Sequence, residues 1–486
     1  MQISPGIKSI LSNSAYTYVA VLLNQVLRIA YVFVLARLLG PELYGMLAYG
    51  NAWYLSLLSL SGLGLGAYLA VHVGKGGQGG KEAAELVMAA RIIAVLLLAI
   101  FSMVFSWFDA ENRNVYYIML AFSFALIGRG ALNWAVHMFQ SHEKSAHILA
   151  MEKWFRPIEL ATGLIIAYLF HDVLFIACNH ALFMLLQGGY SIYLFRTKIY
   201  KVQPKWDFLA ISLMIKKVLP LAIASPLVQF MFFGPLILMK FYGASMASVA
   251  NMAIAIQAFM IFNVLMLTLG TASIPVLSRN IDKNPNNITR FAYTVIRIAV
   301  LAGSSIAILG LTFFESIILI LFQTGFEEAA ANVGLLLICI VPSTFKTLLR
   351  PILISKQKNK SVLITDLMTI STLIVLMGWL LPQYGILGAI IAIFVSYSVA
   401  ALSTLAFLYH LKIVKFRTHI LYPNTIFTLV IITFFICSSM IGNFISGIVS
   451  LVALILLSVL MRLTTISEIK HHYSRALNWV KLRRSL

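Results

Sequence analysis

Fourteen long apolar runs, parted by short polar breaks, decide what this chain can fold into. They lie near residues 14–39, 43–73, 86–107, 115–137, 155–170, 173–195, 218–240, 248–276, 291–313, 329–349, 361–381, 384–409, 420–440 and 446–463. A helix needs about 20 apolar residues to cross the hydrocarbon of a bilayer. Inside lipid every backbone polar group must be satisfied by the protein itself, which leaves helices and closed barrels. The runs lack the strand-length alternation of a membrane barrel. They predict an all-α polytopic membrane protein of about 14 transmembrane helices. Of the 486 residues 61% are apolar and 11% charged, so nothing large is left for the aqueous phases. That excludes a soluble catalytic domain, a receptor ectodomain and the large outer loop of a membrane glycan polymerase. Lys8 ahead of an apolar run resembles a signal peptide, but the run at 14–39 is too long and holds Arg28, so it is expected to be a retained first span.

The formal charge of +20 suggests nucleic acid until the charges are placed. With a cytoplasmic N-terminus, Arg37, Arg113 and Lys240 alone fall on the outer side, Arg28, Arg91 and Arg129 lie within spans, and every other Lys and Arg falls inside or at the inner end of a run. Positive loops face the cytoplasm, so both termini are expected there, and the basic balance reflects topology and not nucleic-acid binding. Cys178, Cys339 and Cys437 all lie in apolar stretches, which predicts neither a disulfide framework nor a thiolate metal site. No metal or other cofactor is expected.

An internal repeat organises the spans. Ala36-Arg37-Leu38-Leu39-Gly40 closes the first, Met239-Lys240-Phe241-Tyr242-Gly243 closes the seventh, and each leads through a short loop into a long span. Six crossings per repeat start both halves on the same side. The expectation is two six-helix bundles related by a pseudo-two-fold along the membrane normal, at 1–208 and 209–410, with two C-terminal helices and a basic cytoplasmic tail in 411–486. Pro220, Pro226 and Pro235 are expected to bend the seventh span.

Several motifs imitate chemistry without its context. Gly74-Lys75-Gly76-Gly77-Gln78-Gly79 has the spacing of a nucleotide-binding fingerprint, but it joins two apolar helices where that motif needs a strand before it. It reads as a flexible inner loop. The histidines of His142-Glu143-Lys144-Ser145-Ala146-His147 are one residue too far apart for a zinc-protease helix, which predicts a solvated loop.

Buried charge carries the functional signal. An arginine at mid-membrane costs about 2.5–3.5 kcal/mol on insertion scales, so it faces a wet cavity or a partner. Arg28 is central in the first span, with Asn24 and Tyr31 on the same helical face. In the fourth span Arg129, Asn133 and His137 recur every four residues. Two such stripes predict a cationic cavity, with Arg28, Asn24, Tyr31, Arg129, Asn133 and Arg91 as substrate-binding candidates, Arg91 lying nearest the inner boundary. Intramembrane acids are scarce. Glu159, beside Arg156, and Asp366, near Thr365, Thr369 and Thr372, are the candidates for a coupling ion, and both are expected closer to the interface than to the cavity. Cations lining a cavity select an anion, and Lys and Arg suit phosphate. A pump for cationic drugs would need carboxylates there.

Leu35-Ala36-Arg37-Leu38-Leu39-Gly40-Pro41-Glu42-Leu43-Tyr44-Gly45, after a span with an internal arginine, resembles the first hairpin of the polysaccharide transport family, the Wzx-type flippases of the multidrug/oligosaccharidyl-lipid/polysaccharide (MOP) superfamily. Leu219-Pro220-Leu221-Ala222, Ile274-Pro275-Val276-Leu277-Ser278 and Tyr384-Gly385-Ile386-Leu387-Gly388-Ala389 look like its later landmarks, so the resemblance covers roughly 5–410. The resemblance implies a transporter and not an enzyme, in the bacterial cytoplasmic membrane. It would move an undecaprenyl-pyrophosphate-linked oligosaccharide, an O-antigen, capsule or exopolysaccharide unit, to the outer leaflet by alternating access. Its implied partners are that lipid-linked glycan, membrane lipids, and the glycan polymerase and chain-length regulator of the same pathway. The rival readings are a multidrug/cation antiporter of the same superfamily, a peptidoglycan-precursor flippase and a membrane glycan polymerase.

Overall fold

The computed structural model describes residues 5–73, 77–109, 113–280, 285–322, 324–414 and 422–460. Among them all regular structure is helical: α1 (Pro5–Ser61), α2 (Leu65–Val73), α3 (Gly77–Asp109), α4 (Arg113–Ser141), α5 (Ala146–Phe170), α6 (Val173–Lys198), α7 (Phe208–Phe241), α8 (Met246–Asn280), α9 (Pro285–Phe322), α10 (Glu327–Leu337), α11 (Ile340–Ser355), α12 (Asn359–His410), α13 (Tyr422–Ile441) and α14 (Asn443–Leu460).

Two of these helices hold two apolar runs each. The break in α1 is Gly40 (φ 73°, ψ 173°), in a backbone region open essentially to glycine, with Pro41 starting the second arm. In α12 the break is Gly385 (φ 55°, ψ −137°). The second run continues beyond Ser61 into α2, and the tenth is the pair α10 and α11, bent by 48°. Counted this way, every apolar run of the sequence has its helix. Nine helices among the described residues are long and apolar enough to span a bilayer, and the bent pair makes a tenth. The seventh run forms α7, a single helix through Pro220, Pro226 and Pro235, while Gly40 and Gly385 interrupt α1 and α12.

The outward faces are apolar. On α3, Leu97, Ile100, Phe101 and Val104 are exposed at helical spacing, and on α14 so are Phe444, Ile445, Ile448, Val452, Ile455 and Leu456. In water such stripes would drive aggregation. Against lipid they cost nothing, and the transmembrane reading of the composition is met on the surface.

Contacts group the chain into two compact units, Met1–Gln257 with Leu319–Glu328 and Asp366–Ala392, and Ala258–Ile318 with Ala329–Thr365 and Ile393–Leu486. The lobes expected at 1–208 and 209–410 group residues by repeat, so these units do not stand for them. The expected basic tail at 461–486 and the loop residues 74–76 lie outside the described residues. The first unit buries Leu69, Val87, Trp134, Phe139, Met151 and Phe195 in one cluster, with Trp134 Nε1 donating to the Ala84 carbonyl at 3.3 Å. The second packs Val295, Ala299, Leu349, Ile352, Leu408 and Val430, and Asn263 donates to Ser343 within it.

Two loop expectations change. Gly77–Gly80 is helical and opens α3, so the glycine-rich segment is less loop than its composition suggests. His142 and His147 are not simply solvated: the His142 ring meets Phe195 edge-on and Tyr200 at a tilt, and the His147 ring meets Phe139 at a tilt. The Nδ1 edge of His142 is engaged as well, 2.9 Å from the Met138 carbonyl.

Within the first unit, small residues set the spacing of the helices around the site. A Cβ on Gly128 of α4 would strike the backbone of Met184 on α6, and one on Gly188 of α6 would strike the Gly128 carbonyl. The two backbones therefore touch. Asp172 starts α6 by accepting a bond from the Leu174 N–H at 2.7 Å, an N-cap that fixes the short turn out of α5.

Candidate functional site

A cavity of about 190 Å³ opens inside the first unit, walled by α1, α4, α5, α6, α7 and α8. Arg28 and Tyr31 enter from the first arm of α1, and Tyr44, Asn51 and Tyr54 from its second arm. Arg129 comes from α4, Arg156 and Glu159 from α5, Asn179 and His180 from α6, Phe233 from α7 and Gln257 from α8. Three guanidinium groups thus share a space with one carboxylate.

The carboxylate is already engaged. Arg156 Nη1 lies 2.8 Å from Glu159 Oε2, and His180 Nδ1 lies 2.6 Å from Glu159 Oε1. Arg156 also donates through Nε to Asn24 Oδ1 at 2.8 Å, which ties α5 to α1. Asn179 donates to the Glu159 carbonyl at 3.0 Å and accepts from Thr162 Oγ1 at 3.0 Å, which ties α5 to α6. The pair is covered, with the Arg156 and Glu159 side chains 17% and 6% exposed. Arg28 and Arg129 have no ion pair among the described residues. The Arg28 guanidinium lies 6.0 Å from the centre of the Phe233 ring, a cation–π approach that accepts positive charge without neutralising it. Arg129 Nη1 is buried without a hydrogen-bond partner. His180 sits between aromatic rings, 5.5 Å from both Tyr54 and Phe122.

Of the residues singled out from the sequence, Arg28, Tyr31 and Arg129 line this cavity. Asn24 does not line it but holds Arg156, which does. Asn133 is not among the lining residues. Arg91 is buried in a separate cavity of about 110 Å³ with Val95, Gly130 and Trp134. His137, on the same stripe as Arg129, stands against Gly66. Asp366 is buried elsewhere in the fold. Glu159, expected close to the start of its helix, lines the cavity. The helix starts at Ala146 and not at 155, which puts Glu159 mid-helix in the cavity wall. The charged cluster Glu152, Lys153 and Arg156 masks the beginning of the helix from any apolar count.

Arg156, His180 and Asn179 escaped sequence reasoning. Arg156 read as one more inner-loop cation, because it precedes the apolar part of its run. The signal that points to it is its i,i+3 relation to Glu159. Asn179 and His180 form a polar pair in the second turn of an otherwise apolar span, a mark that calls for a partner by the same cost argument as Arg28.

The sequence profile described as polysaccharide biosynthesis protein matches residues 10–281. No curated protein sequence matches the chain. Among solved structures, the lipid II flippase MurJ in an inward closed conformation superposes with a TM-score of 0.69 at 14% identity, covering 93% of this chain and 98% of that one. A multidrug resistance MATE family transporter of the MOP superfamily aligns in its inward-facing conformation with a TM-score of 0.62 at 16% identity, over 80% of this chain and 94% of that one. An outward-facing MATE family transporter gives 0.58 at 17% identity, over 84% and 95%. The fold is the one these solved structures share.

Proposed function

Because the chain belongs to the polysaccharide biosynthesis protein family, whose profile covers more than half of it, we propose that it is a Wzx-type flippase. Its substrate is an undecaprenyl-pyrophosphate-linked oligosaccharide, carried from the cytoplasmic to the outer leaflet of the bacterial inner membrane, with both termini cytoplasmic. The observation that carries this reading is the charge of the cavity: Arg28, Arg129 and Arg156 against Glu159 alone.

Moving a diphosphate through hydrocarbon is prohibitive because the charge loses its hydration. A cavity that replaces water with fixed donors removes that barrier. Arg156 is held by Glu159 and Asn24, so it is a poor first contact. Arg28 and Arg129 are uncompensated, and each offers the planar donor fork that suits phosphate oxygens. The diphosphate engages these two, the aromatic groups Tyr44, Tyr54 and Phe233 face the sugars, and the prenyl chain remains in lipid. The two six-helix lobes then open the cavity to one side and the other in turn.

A cation antiporter would place carboxylates where this cavity places guanidinium groups, and the one acid present is paired. The test is the deletion strain. It should accumulate one lipid-linked glycan on the cytoplasmic side and lose the corresponding surface polymer, and purified protein in liposomes should move that lipid. Accumulation of the peptidoglycan precursor would transfer the assignment to that pathway, and transport of cationic drugs alone would sink it.

A further inference from the structure

Two polar atoms that belong to the cavity's lining residues are buried without a hydrogen-bond partner, Arg129 Nη1 on α4 and His180 Nε2 on α6. Such atoms are costly to leave unmade and call for a ligand or water. The opposite edge of the same imidazole is committed, since Nδ1 lies 2.6 Å from Glu159 Oε1, and the other oxygen of that carboxylate is held by Arg156. A carboxylate at Nδ1 keeps a proton there. Nε2 is therefore the atom whose state varies, a lone pair on the neutral ring and a donor on the charged one.

The surroundings decide which state a ligand selects. Tyr31, Tyr44 and Tyr54 face the cavity from α1 together with Arg28. Arg129 faces it from α4, and Arg156 and Glu159 from α5. Glu152, one turn earlier on α5, acts on Arg156. The cavity residues of α7 and α8, among them Phe233 and Gln257, include no titratable group. With no second acid in the wall, an empty cavity gives a charged ring only Glu159 to lean on, and that acid already serves Arg156. A diphosphate oxygen between Arg28 and Arg129 changes this, because the charged imidazole donates to it while the neutral one opposes it with a lone pair.

We propose that His180 takes up a proton when a diphosphate group lodges in the cavity, so that the anion and a proton bind as a pair. This rests on the diphosphate reading of the cavity and names the ion that accompanies it. The sign follows from linkage: if the bound anion favours the charged ring, anion affinity is highest where the ring is already charged and falls as pH rises through its titration.

The test uses the full-length chain in detergent and a synthetic diphosphate diester that joins a neutral sugar to a short prenyl chain, a probe with no group of its own titrating between about pH 5 and 8. Affinity should fall with rising pH, by up to about tenfold per unit for one linked proton. Calorimetry in two buffers of different ionisation heat should register uptake approaching one proton per anion near neutrality. In His180→Gln both the pH dependence and the uptake should vanish. Binding of the diester at constant affinity with no proton uptake overturns this inference and leaves the flippase reading standing. Retention of the full pH dependence in His180→Gln overturns it as well, and failure to bind the diester at any pH overturns both readings.

Discussion

Glu159 is the residue on which the cavity's charge balance turns. Removing either member of a buried pair leaves the other uncompensated, a loss of about 3–5 kcal/mol. Glu159→Gln and Arg156→Met should each lower the unfolding temperature in detergent. The double variant should recover part of the loss, and strictly additive losses would show that the two are not coupled. Arg28 predicts a different pattern, since it has no partner to strand. Arg28→Ala should abolish glycan export at normal membrane levels, and Arg28→Lys should retain part of it, because the charge survives and the planar fork does not. Full export by Arg28→Ala in the deletion strain would sink its assigned role. Arg28 was legible in the sequence because a charge at the centre of an apolar run has no inexpensive explanation. Arg156 was not, because a charge at the edge of a run has several. His180 needed the third dimension: which face of α6 it occupies depends on where Gly188 packs.

At the scale of elements, glycines place the functional groups. A side chain at Gly188 has to push α4 and α6 apart, which separates Arg129 on the one from His180 on the other. Gly188→Val should cost about 1–3 kcal/mol or more, as overpacking does, and lower export further than the loss of folded protein explains. Gly189 is the control. A Cβ there meets nothing within 4 Å, so Gly189→Ala should be neutral or add up to about 1 kcal/mol through helix propensity. Equal effects from the two substitutions, compared by thermal unfolding and export, would remove the close approach from the account. The helices themselves were readable from apolar run length, because lipid leaves the backbone no other choice. The breaks were less so. Three prolines in α7 looked decisive, yet Gly40 and Gly385 interrupt their helices while α7 runs on. A positive φ is a tertiary demand that a glycine permits and does not announce.

For the whole molecule, the placement of Lys and Arg predicts sidedness. Single cysteines introduced near Arg113 should react with an impermeant reagent in intact cells, and those near Lys201 and Lys358 should react only after permeabilisation. Labelling of the 199–207 segment from outside would reverse the orientation. The packing of Arg156 against Glu159 has an electrical consequence as well. With one of the three arginines neutralised, the empty cavity carries two positive charges, and a diphosphate diester carries two negative ones. On the proposed diphosphate substrate, with the proton that His180 takes up, the loaded carrier keeps one positive charge and the empty carrier two, so the membrane voltage acts more strongly on the empty one. A charge moved through the full field gains about 2.3 kcal/mol per 100 mV, so a negative cell interior draws the vacant site back toward the cytoplasm and turns voltage into the return stroke of the cycle.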